Sequence, residues 1–188
     1  MSIRSFIAIP IPQIMANALG DCAGQMAYQD KSNAVRWVDQ ANYHVTLAFL
    51  GDQDQSVIEQ VADSLDQELP HFGFDFKVSH LSPFPESRPK LIAAIIEKTA
   101  QMMELQQSVQ SALKSCSVTI EKRKFNPHIT LGRYRHSRNH FAGAIPTNFN
   151  LEGEVNEVTF YESVLTPNGA EYEPLFRFPM GETEYDEV

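Results

Sequence analysis

Apolar positions in the 188-residue chain switch between a period of two and a period near 3.6, dividing it into short elements. Ile3 to Ile9 is a β-branched and aromatic run closed by Pro10, and reads as a strand. From Pro12 to about Tyr28, Ile14, Met15, Ala18, Leu19, Cys22 and Met26 recur at helical spacing. Val35–Val38 and Tyr43–Leu50 read as strands, the second closed by Gly51-Asp52. Ser56 is placed to cap a helix whose apolar face is Val57, Ile58, Val61, Leu65 and Leu69, with Pro70 beyond its end. Phe72–Leu81 and Leu91–Glu97 read as strands around a Ser/Pro-rich loop, SPFPESRP.

A third helix is predicted from about Thr99 to Cys116, burying Met102, Leu105, Val109, Leu113 and Cys116. Val118–Ile120 and His128–Tyr134 follow as strands. Val155–Leu165 and Tyr172–Phe178 flank Thr166-Pro167-Asn168-Gly169, a hairpin turn sequence. The last stretch, GETEYDEV, is acidic and reads as a frayed end. The order β-α-β-β-α-β-β-α-β-β-β-β, without a linker, predicts a single α+β domain over 1–188 with mostly antiparallel sheets.

One internal echo organises this series. His44-Val45-Thr46-Leu47 and His128-Ile129-Thr130-Leu131 repeat the pattern His, β-branched, Thr, Leu, 84 residues apart, each in a predicted strand. With six His and eight Thr, chance supplies about 0.25 His-x-Thr triplets, and about 0.02 once Leu must follow. A matched pair is therefore a signal, and it predicts two similar lobes. Strand alternation turns His44 and Thr46 to one face and Val45 and Leu47 to the other, with the same division in the second copy. If the strands share a cleft, two imidazoles and two hydroxyls converge. One neutral His can take a proton while a protonated one gives a proton, and the hydroxyls can orient a phosphate.

Composition narrows the partner. A net charge of −9 and a pI near 5.1 argue against coating long nucleic acid and against a polybasic membrane anchor. Charge is uneven, however: residues 121–140 set Lys122, Arg123, Lys124, Arg133, Arg135 and Arg138 against Glu121, while residues 171–188 are acidic. The basic run brackets the second motif and can attract phosphates. Cys22 and Cys116 form no disulfide framework, and His71, His80, His136 and His140 show no metal-ligand spacing, so no metal or other cofactor is expected. The amino-terminal stretch lacks the features of a signal peptide and no run is long enough to span a bilayer, which predicts a cytoplasmic protein.

Beyond the tetrapeptides, RSFIAI, VRWV leading into HVTLAFLG, SPFPESRPKLIAAIIE, KRKFNPHITLGR and VNEVTFYESVLTPNGAEYEPLFRF together resemble the 2H phosphoesterase superfamily. The closest resemblance there is to the RNA 2′,3′-cyclic phosphodiesterases, also called 2′-5′ RNA ligases. It implies a bilobal fold, with two pseudo-symmetric sheets, helices outside and a central cleft. It also implies metal-free hydrolysis of a terminal RNA 2′,3′-cyclic phosphate to a 2′-phosphate, with 2′-5′ joining of RNA ends as the reverse type of reaction. By motif position, His44 is the proton donor and His128 the proton acceptor, and Thr46 and Thr130 bind nonbridging oxygens. Arg133 matches a phosphate-contacting arginine, although strict alternation turns it away from His128 unless a bulge intervenes. Phe6 matches an aromatic position that stacks the terminal base, against the alternative of a core side chain, and Trp37 is read as a packed side chain. The expected partner is an RNA with a cyclic phosphate end, tRNA fragments being one source, engaged by a monomer away from membranes. Hydrolysis of a small cyclic nucleotide or another cyclic phosphodiester, and non-enzymatic binding of RNA ends, are the rival functions.

Overall fold

A computed structural model describes residues 2–119, 121–136 and 140–181. The described chain runs β1 (Ser2–Pro10), α1 (Gln13–Gln29), β2 (Val35–Trp37), a short 3-10 turn (Gln40–Asn42), β3 (His44–Asp54), α2 (Gln55–Glu68), β4 (Phe74–Phe84), β5 (Leu91–Ile96), α3 (Ala100–Ser115), β6 (His128–Tyr134), β7 (Leu151–Val155), β8 (Glu157–Thr166) and β9 (Gly169–Pro179). The strands form one antiparallel sheet in the order β7-β4-β5-β6-β3-β1-β8-β9, with β2 against β6. The two expected sheets are thus the halves of a single sheet. They meet at β3 and β6 through one residue pair, Val45↔Ile129.

The halves exchange helices. α1 follows β1 but packs on β2, β6 and β7 of the other half, whereas α2 and α3 pack on each other and on β3. α1 buries Met15, Leu19, Ala23 and Met26 but leaves Ile14 exposed, and α3 buries Met102, Leu105, Val109 and Leu113. Thr99 caps α3 by accepting from the Met102 amide. Cys22 and Cys116 are half-buried free thiols. No helix among the described residues is long and apolar enough to cross a membrane.

Several boundaries differ from the sequence reading, each for a local reason. β3 does not stop at Gly51 but continues to Asp54, because Gly51, at φ 68°, lies beside a bulge in the pairing with β1. α2 starts at Gln55 behind Asp54, which places Ser56 inside the first turn. β4 reaches Phe84, so three residues of the Ser/Pro-rich loop are strand. Val118 and Thr119 form no strand, and Ile120 lies outside the described residues, as do Arg138 and the acidic stretch 182–188. The run predicted as Val155–Leu165 is two strands, since Asn156 separates β7, paired with β4, from β8, paired with β1.

Matched bulges fall on the leucines of the two motifs. β1 pairs Ala8 with Thr46 and Ile7 with Ala48, leaving Leu47 unpaired. β5 pairs Ala93 with Thr130 and Ile92 with Gly132, leaving Leu131 unpaired. Each leucine is buried, and each bulge advances the alternation by one residue. Gly132 follows the second bulge where β2 packs close: a Cβ there would collide with Val35 Cγ1 and lie 3.0 Å from the Trp37 ring. Gly132→Ala is therefore expected to cost about 1–3 kcal/mol in urea unfolding, whereas the same change at Gly24, which faces open space, is expected to be neutral or stabilising.

Candidate active site

The single β3–β6 pair sets the site. Because the strands are antiparallel about Val45↔Ile129, His44 lies across from Thr130 and Thr46 across from His128. Val45 and Ile129 are fully buried on the core side, while the four polar residues are half-buried on the cleft side. Each motif thus contributes one imidazole and one hydroxyl to a four-membered cluster with approximate twofold symmetry.

Both imidazoles are held in the same way. His44 Nδ1–H donates to the Asn42 carbonyl and His128 Nδ1–H to the Asn126 carbonyl, each at 2.7 Å. In the neutral ring this bond leaves Nε2 with its lone pair toward the cleft. The Thr46 hydroxyl donates to His44 Nε2 at 3.0 Å. The asparagine side chains anchor these carbonyls. Asn42 Nδ2 donates to the Ala170 carbonyl on β9, and Asn126 Oδ1 accepts from Lys98 Nζ. Sequence reasoning missed these two residues, although the signal was present: an Asn stands two residues before each motif His.

Aromatic rings complete the surroundings. Phe6 lies 5.0 Å from His44 and Tyr172 5.2 Å from it, edge-on, while Phe84 lies 4.5 Å from His128. Phe6 is only 3% exposed, with Tyr161 stacked on it at 5.2 Å and Tyr172 edge-on at 4.9 Å. Phe6 thus forms part of the wall that holds His44, which fits the alternative of a core side chain. Phe84, hidden in what the sequence presented as a loop, is the corresponding wall for His128. Trp37 is half-buried, edge-on to Phe141 at 5.9 Å.

The bulge at Leu131 brings Arg133 to the cleft face, and its charge acts on both histidines. Burial is the main reason that His44 is pushed down to about 4, with Arg133 and His128 adding to it and the Asn42 carbonyl opposing. His128 is lowered by burial, then by Arg133, against the Asn126 carbonyl. Of the expected basic run, Lys122, Arg123 and Lys124 are exposed on the segment leading into His128, and Arg123 pairs with Glu121. A groove between α3 and segment 118–125, lined by Lys114, Lys122 and Arg123, contains none of the candidate residues. Among the described residues no cluster of three metal-ligating side chains forms.

The two-lobed phosphoesterase class that this cleft suggests is supported by solved structures. A phosphoesterase superposes with a TM-score of 0.78 at 25% identity, covering 96% of this chain and 99% of that one. LigT of E. coli in its apo form superposes with a TM-score of 0.77 at 23% identity, covering 95% and 97%. The model of the 2′-5′ RNA ligase superfamily matches residues 22–165, and the chain belongs to that superfamily. Among its relatives, the RNA 2′,3′-cyclic phosphodiesterase of Thermotoga maritima is 28% identical over 177 residues, 92% of this chain and 93% of that protein. The enzyme of the same description from Bacillus subtilis is 26% identical over 183 residues, 93% and 95%.

Neutral burial of His44 has a consequence for stability. An unfolded His takes up a proton below about 6.5, but folded His44 does so only near 4, so stability falls as pH drops through that window. The contribution is about 2 kcal/mol by pH 4.5. Urea midpoints of the wild type and His44→Gln are expected to converge between pH 7 and 4.5; parallel loss in both would show that His44 is not buried in the neutral form.

Proposed function

We propose that this chain hydrolyses the 2′,3′-cyclic phosphate at the end of an RNA to a 2′-phosphomonoester, without a metal. The observation that carries the reading is the placement of two His-x-Thr motifs antiparallel at one sheet junction, with both imidazoles and both hydroxyls on the same face. Family membership and the cyclic phosphodiesterase relatives support the reaction class.

In this reading the phosphate lies among His44, Thr46, His128 and Thr130. His128 Nε2 takes a proton from water as the water oxygen attacks phosphorus in line with the 3′-oxygen. The P–O3′ bond breaks, and the protonated Nε2 of His44 delivers its proton to the departing oxygen. Thr46 and Thr130 donate to the nonbridging oxygens, and Arg133 stabilises the charge that develops on them. An RNA 5′-hydroxyl in place of water would form a 2′-5′ linkage in the same site, the joining activity that the family name describes. The carbonyls of Asn42 and Asn126 keep both Nε2 atoms turned to the cleft throughout.

The direct test treats an oligoribonucleotide bearing a 2′,3′-cyclic phosphate with the protein in excess chelator and identifies the product end. A 2′-phosphate is expected. A 3′-phosphate, a requirement for added metal, or binding without turnover would each overturn the reading. Substituting His44 or His128 by Ala is expected to lower kcat by roughly 10²–10⁴-fold.

The pH dependence separates the two roles. The base must be neutral and the acid protonated, so activity rises as His128 loses its proton and falls as His44 loses its own. Burial holds His44 down to about 4 in the empty site, while an anionic phosphodiester favours its protonated form. The alkaline limb of kcat, set by the enzyme–substrate complex, is therefore expected at higher pH than that of kcat/KM, set by the free enzyme. Coincident limbs would remove His44 as the proton donor.

A further inference from the structure

The cleft face carries two arginines set directly against each other. Arg36 on β2 pairs in register with Arg133 on β6, and residues directly opposite in an antiparallel pair project to the same face. Their neighbours agree with this side: Val35 and Trp37 pack against Gly132 on the opposite face. Both arginines are exposed, and neither meets a carboxylate in any ion pair among the described residues. The acids nearest Arg36 in sequence are engaged elsewhere. Asp30 accepts from the Ala34 and Val35 amides at 3.0 and 2.9 Å, and Asp39 from the Ala41 amide at 2.9 Å.

Like charges directly opposed across strands destabilise a sheet. The pair is therefore unfavourable in the empty protein and becomes favourable when an anion lies between the two guanidiniums. Its position shows which anion. The Arg36↔Arg133 pair lies four residues along β6 from the Val45↔Ile129 junction that gathers the histidines. Past the bulge at Leu131, Arg133 stands three residues from Thr130 on the same strand and the same face, within reach of the reacting phosphate. Arg36 stands further along the cleft, beyond the four side chains that surround that phosphate.

We propose that Arg36, together with Arg133, binds the phosphodiester one nucleotide upstream of the reacting phosphate, and so selects an oligoribonucleotide end over a cyclic mononucleotide. This rests on the hydrolysis proposed above. Arg133 bridges the two phosphates, and Arg36 serves only the upstream one. A cation here also explains how an acidic protein engages a polyanion: it grips two consecutive phosphates at a chain end instead of a long track.

The test compares wild type and Arg36→Gln on a trinucleotide ending in a 2′,3′-cyclic phosphate and on a 2′,3′-cyclic mononucleotide. The ratio of the two kcat/KM values, trinucleotide over mononucleotide, is expected to fall about tenfold in the variant, as for loss of one charge-assisted hydrogen bond. Binding of a trinucleotide 3′-phosphate is measured alongside across salt concentrations, where the log–log slope is expected to become shallower by about 0.7. Relief of the opposed charges is expected to leave the urea midpoint equal or higher. Equal losses on both substrates with a lowered midpoint would make Arg36 structural, and an unchanged ratio with an unchanged slope would remove the subsite. If wild type hydrolyses neither substrate, the proposed reaction falls, and the binding slope alone still decides the subsite.

Discussion

The pairing of Val45 with Ile129 is the contact on which the rest of the structure depends. It is the only paired position between β3 and β6, yet it joins two half-sheets into one and fixes the register of both motifs at once. In a strand, a slip of one residue exchanges the two faces. Here a slip would bury His44 and Thr46 against α2 and α3 and turn Val45 and Leu47 to solvent. Complete burial of Val45 and Ile129 makes that slip costly, at about 1.5–3 kcal/mol for each large apolar side chain exposed. The hydrophobic core thus sets the position of the polar site, although no core atom takes part in its chemistry.

The two leucines extend this control outward. As bulge residues, Leu47 and Leu131 stay buried while shifting the phase of everything after them. In β6 the shift delivers Arg133 to the cleft; at the equivalent place in β3 it delivers Phe49, which is 58% exposed and 6.0 Å from Phe6. One backbone device, used twice, supplies a cation on one side of the cleft and an aromatic ring on the other. The site is symmetric where acid–base chemistry is proposed and asymmetric where a substrate must be held in one direction.

Much of this was legible in the sequence, and what was hidden follows a pattern. The repeated His-x-Thr-Leu showed which residues share a face, because alternation is a local property of strands. Bulges depend on the neighbouring strand, so periodicity alone turned Arg133 away from the cleft and ended β3 at Gly51. Phe84 was obscured by the prolines around it, which read as loop although the strand continues through Pro83 at an edge of its pairing with β5. Asn42 and Asn126 went unread because they act on the imidazoles through main-chain carbonyls, a role that residue type alone does not announce. The strand pattern leaves Phe6 open between a base platform and a core side chain, because it does not show the neighbours. Tyr161 and Tyr172 pack against Phe6 and leave it 3% exposed, as the core alternative expects.

These pieces combine in the electrostatics of the empty cleft. Burial and Arg133 both oppose protonation of the histidines, and Arg133 itself faces Arg36 across the strands. Both influences act against an imidazolium in the empty site. An arriving phosphodiester reverses the balance. Its negative charge offsets the guanidiniums and favours an imidazolium within hydrogen-bonding reach. On the proposed mechanism, the substrate itself recruits the proton that His44 must later donate. A neutral ligand filling the same space would leave His44 unprotonated, and the acid–base pair incomplete. Specificity for phosphate would then arise at two stages, in binding through the arginines and in turnover through the protonation that binding induces.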